Sequence, residues 1–251
     1  MTTLLVDIGN SRVKWAQLER GSLGAQRAAA YALWTRDDWR VLFEGAAVTR
    51  VLAASVAGDA SIAALDAAAR AATGRGVERV TTQREAAGVV NGYADPSLLG
   101  VDRWLAVVGG YRRVRGACVV ADIGTAATVD VVAADGRHRG GYIVPGPRLM
   151  VASLLASTSD LASFSSTSPP GATADFADNT RDAIERGCRV ALAAWLERCV
   201  RDAERLVGAA PRLLVTGGAE PELRVFLNTP HELVPDLVLR GLAELARTPA
   251  V

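Results

Sequence analysis

The residues best suited to chemistry lie near the amino terminus, in the segment Asp7-Ile8-Gly9-Asn10-Ser11, with Lys14 three positions later. An apolar run leads into the carboxylate and an alternating run follows the turn, which predicts a β-hairpin with Asp7 where strand meets turn. Gly9 can adopt positive φ and lacks a Cβ, so backbone N–H groups there can approach an anion closely. A carboxylate among anion-binding groups suggests that Asp7 holds a divalent cation that bridges phosphate oxygens. The alternative is an ordinary hairpin with an Asx turn, because Asn, Ser and Gly occur in any tight turn.

The same pattern returns about half a chain later. Residues 119–130 contain two apolar residues, a spacer, Asp122-Ile123-Gly124, a hydroxyl residue at Thr125 and an alternating run. Because internal repetition indicates a repeated structural unit, each copy is expected to open one of two similar half-domains. We expect the two turns to face each other across a cleft. A nucleotide held by its phosphates between them is the simplest function of that arrangement.

A third segment places charges at the start of a helix predicted over residues 101–112. Turn signals at residues 91–92 and 95–96 predict a structured loop before it, with Gly100 at the helix cap. Asp102 in the first turn complements the helix dipole, whereas Arg103 opposes it and therefore suggests a ligand. Arg103 can form a two-pronged pair with a carboxylate while Asp102 accepts a proton from a hydroxyl. The alternative is an Asp–Arg surface pair without a ligand.

Taken together, these motifs resemble the type III pantothenate kinases of the acetate and sugar kinase/Hsp70/actin superfamily. The resemblance rests on Asp7-x-Gly9-Asn10-Ser11, Gly100-Val101-Asp102-Arg103-Trp104 and Asp122-Ile123-Gly124-Thr125-Ala126, and it covers nearly the whole chain. It implies an α/β fold with two tandem ribonuclease-H-like (actin-like ATPase) domains and an inter-domain cleft. It also implies a homodimer that transfers phosphate from ATP to the 4′-hydroxyl of pantothenate, the first step of coenzyme A synthesis. The implied metals are Mg²⁺ and a monovalent cation, K⁺ or NH₄⁺.

The resemblance further implies roles for individual residues. Asp102 would be the general base on the pantothenate hydroxyl, Asp122 would bind the monovalent cation, and Asp7 would govern Mg²⁺ through phosphate. The residues implied to contact ATP are Asp7, Ile8, Gly9, Asn10, Ser11, Arg12, Val13, Lys14 and Thr125. Those implied to contact pantothenate are Tyr93, Gly100, Val101, Asp102, Arg103 and Thr180. Thr180 either reaches a pantothenate site, in its own subunit or across the dimer, or simply starts a helix.

Two other functions fit the same pattern. One is a different small-substrate kinase or phosphatase of the superfamily, such as a sugar kinase or an exopolyphosphatase. Most sugar kinases are longer than this chain, and the Gly-Val-Asp-Arg-Trp element favours pantothenate. The other is a non-enzymatic accessory factor of transcription. The set Asp7, Lys14, Asp102, Asp122 and Thr125 favours an enzyme, because a non-catalytic member has no chemical need for all five.

Composition narrows the class of protein. The chain has 251 residues, is 50% hydrophobic and carries 28 basic and 27 acidic residues, so it can build a core but offers no basic stripe for nucleic acid. Its first apolar run is interrupted by Asp7, which argues against a signal peptide or a membrane span. Cys188 and Cys199 would lie about 16 Å apart on one helix, too far for a disulfide. We therefore expect a reduced, cytoplasmic protein without a membrane or nucleic-acid partner.

The predicted elements divide the chain into domains 1–115 and 116–251. The first domain is expected to contain strands at 4–6, 12–18, 28–33, 50–54 and 77–81 and helices at 36–43, 61–73 and 101–112. The second is expected to contain strands at 118–121, 127–133 and 138–144 and helices at 148–156, 181–207 and 236–245. Residues 213–219 read as a buried strand ending in two glycines, a weak candidate for contact with adenosine. Residues 157–173, rich in Ser, Thr and Pro, are predicted to form a loop. His138 and His231 lack a metal-ligand pattern, so we expect them to be structural or solvated.

Overall fold

The computed structural model describes residues 2–45, 47–156 and 176–247. The Ser/Thr/Pro-rich loop predicted at 157–173 lies outside these ranges. Among the described residues, no helix combines the length and the apolar character needed to cross a membrane. Two larger sheets and their helices make up most of the described chain.

The first sheet is organised around its central strand β1. Six of the seven residues of β1 are buried, as expected for a strand that is covered on both faces. The strand order is β3-β2-β1-β5-β6, with β4 also paired to β2; β1 is antiparallel to β2 and parallel to β5. The strands are β1 (Thr2–Ile8), β2 (Arg12–Glu19), β3 (Ser22–Leu23), β4 (Arg27–Ala30), β5 (Val48–Ser55) and β6 (Glu78–Arg79).

The helices and the small hairpin that accompany this sheet precede the second repeat. They are α1 (Asp59–Thr73), the hairpin of β7 (Glu85–Ala86) and β8 (Val89–Val90), and α2 (Val101–Val114), with 3₁₀ turns at Asp38–Phe43 and Pro96–Leu98. Gly74 ends α1 in the left-handed conformation, which a residue without a Cβ adopts at low cost.

The second sheet repeats the topology of the first. Its order is β11-β10-β9-β12-β13, and the central strand β9 is antiparallel to β10 and parallel to β12. The elements are β9 (Cys118–Ile123), β10 (Ala126–Val132), β11 (His138–Pro145), α3 (Pro147–Ala156), α4 (Thr180–Val207), β12 (Arg212–Thr216), α5 (Glu220–Leu223), β13 (His231–Leu233) and α6 (Leu237–Arg247). The sequence repeat therefore corresponds to a structural repeat, as predicted.

Contacts divide the chain into two units. One contains the residues up to Arg115, Gly136–Arg139 and the residues from Asp236 on; the other contains Gly116–Asp135 and Gly140–Pro235. The predicted domain 116–251 differs from this grouping, because helix α6 belongs to the first unit. The reason is packing: α6 crosses α2 so closely that a Cβ on Gly241 would lie 2.0 Å from the carbonyl oxygen of Leu105.

Three predicted elements are shorter than expected or of another type. The strand predicted at 28–33 is β4, which ends at Ala30, and the strand predicted at 77–81 is the two-residue β6. The helix predicted at 36–43 is a 3₁₀ turn, Asp38–Phe43. Thr35 donates to Asp38 Oδ2 from both its N–H and its hydroxyl, at 2.6 and 2.7 Å, and these local bonds compete with a regular helix start.

Candidate active site

The first hairpin holds Asp7 and Lys14 side by side. They are direct partners in the antiparallel pair β1–β2, so their side chains emerge on the same face of the sheet. Asp7 is buried, whereas Asn10 and Ser11 in the turn are exposed. A carboxylate and an ammonium thus stand beside an exposed turn rich in donors, the chemistry predicted for a phosphate-binding corner.

Gly9 serves this corner differently from the prediction. It does not adopt positive φ, and its N–H donates to the carbonyl of Arg12 at 3.0 Å, which closes the turn. Tyr31 anchors the same residue by donating its hydroxyl to the Gly9 carbonyl at 2.6 Å. The expectation that a positive φ at Gly9 would present its N–H to an anion was therefore wrong.

The second hairpin is closed in the same manner. Gly124 N–H donates to the Ala126 carbonyl at 2.9 Å, and Thr125 lies exposed at the turn. Gly146 packs against this turn. Its N–H donates to the Thr125 carbonyl at 2.9 Å, and a Cβ on Gly146 would lie 2.1 Å from the Gly124 carbonyl oxygen. A glycine is required at position 146 for that approach.

Asp122 faces the turn that follows β12. A Cβ on Gly217 would lie 2.5 Å from Asp122 Oδ1 and 2.3 Å from the Ile123 carbonyl oxygen, and Gly217 has a φ of +99°. Only a residue without a side chain lets the backbone at position 217 come this close to the carboxylate oxygen and the carbonyl oxygen. Hard cations take oxygen ligands of these two kinds, and the binding of a monovalent cation by Asp122 stays a prediction.

Helix α2 places Asp102 at its amino-terminal end. Gly100 is the N-cap, as predicted, and contributes no side chain to the cap. Asp102 Oδ1 accepts the Arg103 N–H at 2.8 Å, and a Cβ on Gly100 would lie 2.7 Å from the same oxygen. Glycine at the cap therefore gives the carboxylate room to fold back over the helix end.

Arg103 is buried and directed at Tyr93. Its Nη1 donates to the Tyr93 hydroxyl at 3.1 Å, and its guanidinium carbon lies 5.9 Å from the tyrosine ring centroid. His138 stacks on Tyr93. The centroids of the two rings lie 5.9 Å apart, and the ring planes are inclined by 16°. His138 is only 2% exposed, which agrees with the structural alternative of its prediction and not with the solvated one.

The loop that carries Tyr93 is held in place by a second arginine. Arg84 donates to the carbonyls of Tyr93 and Ala94 at 2.8 and 2.7 Å. Buried Asn91 accepts the Tyr93 N–H at 2.9 Å. Gly92 lies against the backbone of His138, because a Cβ there would be 2.0 Å from that residue's carbonyl oxygen. The loop is therefore built to present Tyr93 in one position.

Thr180 is the exposed first residue of α4. The Asn179 side chain caps this helix by accepting the Asp182 N–H at 3.0 Å. The structure thus confirms the helix start, and a role of Thr180 in binding stays a prediction.

Within the first unit, the structure joins Arg103 to Tyr93 by a hydrogen bond and to its neighbour Asp102 through the backbone N–H, and the role of these residues in binding stays a prediction. The stacking of His138 on Tyr93 and the contact of Arg84 with the Tyr93 carbonyl were not predicted, and only the Asn-Gly and Asp-Pro turn signals pointed to this region. No group of three or more His, Cys, Asp or Glu side chains arranged to hold a metal occurs within the described ranges.

Comparison with known proteins identifies the family. A family model described as type III pantothenate kinase matches residues 3–202. The type III pantothenate kinase of Aromatoleum aromaticum is 41% identical over 248 residues, which is 98% of each chain. The enzyme of the same name from Alkalilimnicola ehrlichii is 39% identical over 97% of each chain.

Solved structures agree with the fold. The activator of 2-hydroxyisocaproyl-CoA dehydratase from Clostridium difficile, with bound ADPNP, matches 98% of this chain and 94% of its own with a TM-score of 0.57 and 14% identity. An ethanolamine utilization protein from Carboxydothermus hydrogenoformans matches 97% of this chain and 89% of its own with a TM-score of 0.54 and 13% identity. These neighbours share the actin-like ATPase fold, and the closely related sequences show that the chain belongs to the type III pantothenate kinase family.

Proposed function

We propose that this protein transfers the terminal phosphate of ATP to the 4′-hydroxyl of pantothenate, the first step of coenzyme A biosynthesis. Family membership over almost the whole chain supports the reaction. The observation that supports the position of the site is made at the start of α2. Asp102 and Arg103 are neighbours there, and Tyr93 lies at hydrogen-bonding distance from Arg103.

Pantothenate has a carboxylate at one end and the reacting hydroxyl at the other. We assign the carboxylate to Arg103, because a guanidinium presents paired N–H donors that match two carboxylate oxygens. Tyr93 orients that guanidinium, and Gly100 and Val101 line the same helix start. Asp102, the neighbour of Arg103, is then positioned to accept the proton of the hydroxyl as it attacks.

The ATP phosphates are assigned to the two hairpin turns. Residues Asp7 to Lys14 supply the first, with the Lys14 ammonium as a counter-charge, and Thr125 supplies a hydroxyl in the second. Phosphoryl transfer depends mainly on positioning and on neutralising charge. A Mg²⁺ ion on the phosphates, governed by Asp7, would supply part of that neutralisation.

A monovalent cation is assigned to Asp122. Asp122 Oδ1 and the Ile123 carbonyl oxygen both lie against Gly217, and two oxygens on adjacent residues are ligands of the kind such a cation takes. K⁺ and NH₄⁺ are both compatible with oxygen ligands. Replacing Asp122 with alanine is expected to raise the concentration of K⁺ needed for half-maximal activity more than it changes the KM for pantothenate.

We assign the protein a homodimeric state. Large apolar side chains of the second unit stay exposed in the single chain: Tyr142, Ile143, Leu149, Leu154 and Val190. Large exposed apolar side chains on β11, α3 and α4 support an interface between subunits. Sedimentation equilibrium tests the assignment, and a monomer at micromolar concentration would contradict it. Thr180 reaching the partner's pantothenate site would follow only if the dimer forms.

The decisive experiment measures phosphate transfer from ATP to pantothenate by the purified protein with Mg²⁺, in potassium-containing and in sodium-only buffer. Potassium-dependent transfer is expected. Transfer in both buffers would support the kinase and contradict the cation assignment. No transfer by the folded protein in either buffer would favour another substrate or a regulatory role.

A further inference from the structure

A pocket rich in arginine lies away from the residues assigned to catalysis. It has a volume of about 150 Å³ and is formed between helices α2 and α6 in the first unit. Four arginines, Arg112, Arg113, Arg240 and Arg247, line it together with a single carboxylate, Glu244. The pocket wall therefore carries a clear excess of positive charge.

Close packing of the two helices creates this pocket. A Cβ on Gly109 of α2 would lie 2.5 Å from the Leu237 carbonyl oxygen, so the helices approach backbone to backbone. Arg240 and Arg247 are seven residues apart on α6, which is two helical turns or about 10 Å along one face. Arg112 and Arg113 face them from α2. The basic wall is thus long enough for more than one anionic group.

Arg112 and Arg240 retain donors for a ligand, whereas both Nη atoms of Arg247 already donate, one to Glu244 and one to the Gly21 carbonyl. Arg112 pairs through Nε with Glu244 at 2.9 Å, and Arg240 pairs through Nε with Asp236 at 2.7 Å. Each guanidinium has four further N–H donors on its two Nη atoms. Both side chains are 42% exposed, so these donors can be reached from solvent.

The helix dipoles explain the positions of only some of the four arginines. Arg112, Arg113 and Arg247 lie in the last turns of their helices, where a cation is favoured. Arg240 lies in the first turn of α6, where a cation is disfavoured. Its ion pair with Asp236, four residues earlier, offsets that cost, and the same side chain lines the pocket.

The pocket is separate from the proposed nucleotide site. Arg247 donates to the Gly21 carbonyl. Gly21 lies two residues after Glu19, which pairs with Thr2 at the start of β1. Asp7 lies five positions further along β1, or about 16 Å away. On α2, Arg112 follows Asp102 by ten residues, or about 15 Å. The pocket therefore lies toward the opposite ends of the elements that carry the proposed site.

We propose that this pocket is a binding site for a small anion with linked phosphate groups, of the diphosphate type. Arginine forks match phosphate oxygens in geometry and charge, and the two-turn spacing of Arg240 and Arg247 suits an elongated anion better than a single phosphate. The proposal rests on the geometry of α2 and α6 and does not depend on the pantothenate kinase reaction.

The test is calorimetric titration of the full-length protein with inorganic pyrophosphate at constant ionic strength, compared with inorganic phosphate. The double variant Arg112→Gln/Arg240→Gln is expected to bind pyrophosphate at least about tenfold more weakly, because it loses two charge-assisted contacts. Its KM for ATP is expected to stay unchanged. Arg198→Gln, an exposed arginine of α4 paired with Asp202, is the matched control and should bind like the wild type.

Equal binding of pyrophosphate by the wild type and the double variant would place the anion elsewhere, including the nucleotide site, and would overturn the proposal. No binding by the wild type would do the same. If the glutamine variant unfolds, Arg112→Lys/Arg240→Lys keeps both charges but loses the paired donors. Weaker binding by the folded lysine variant supports the site, and unchanged binding contradicts it.

Discussion

Arg103 and Tyr93 form one hydrogen-bonded pair: the arginine donates Nη1 to the tyrosine hydroxyl at 3.1 Å. The pair is braced on both sides. His138 stacks on the tyrosine ring, and Arg84 holds the backbone that carries it. A guanidinium held in this way loses little freedom when it binds a carboxylate, and lower entropy loss strengthens binding.

Tyr93→Phe tests this relationship. The ring and its stacking on His138 are kept, while the hydrogen bond to Arg103 is lost. A hydrogen bond of this kind contributes about 0.5–1.5 kcal/mol, so we expect the KM for pantothenate to rise about 3- to 10-fold. The KM for ATP, measured in the same assay, is the control. A parallel rise in both constants would indicate a general loss of structure.

Asp102→Asn tests the general base. The amide has the shape of the carboxylate but cannot accept the hydroxyl proton, so we expect turnover to fall by about 10²–10⁴-fold with the melting temperature nearly unchanged. Asp59→Asn is the matched control, because Asp59 occupies the first turn of α1 with its side chain 94% exposed. Steady-state turnover at saturating substrates measures the effect. Normal turnover of Asp102→Asn would remove the assignment.

Much of the fold follows from patterns that are local in sequence. The two Asp-Ile-Gly turns are preceded by apolar runs and followed by alternating ones, and both hairpins form as predicted. The cap of α4 at Asn179 was also predictable, because a capping side chain acts on an N–H three residues away. These features depend on interactions within a few residues.

The parts that could not be predicted depend on contacts between distant segments. His138 stacks on a ring 45 residues earlier in the chain, and nothing in its own neighbourhood indicates that partner. Likewise, α6 joins the first unit because Gly109 and Gly241 allow a close helix crossing. In the sequence, these glycines only weaken a predicted helix.

The three cysteines are expected to be unreactive in the folded protein. All three are free and buried. Burial raises the pKa of Cys118 to about 12 and that of Cys199 to about 11, and it also raises the pKa of Cys188. The thiols therefore stay protonated at pH 8, where a thiol reagent needs the thiolate. Titration with DTNB should detect three thiols only after unfolding in guanidinium. Rapid labelling of the native protein would indicate that β9 or α4 opens readily.

Gly241→Ala tests whether the crossing of α2 and α6 needs glycine. The new Cβ would lie 2.0 Å from the Leu105 carbonyl oxygen, a backbone atom that cannot move aside without shifting α2. Overpacking of this kind costs about 1–3 kcal/mol, which outweighs the gain of up to about 1 kcal/mol from a better helix former. Gly187→Ala in α4 is the control, because no atom lies within 4 Å of its Cβ position. Thermal unfolding should show a lower melting temperature for Gly241→Ala and an equal or higher one for Gly187→Ala. Equal shifts of the two variants would show that helix propensity, rather than the crossing, decides the effect at position 241.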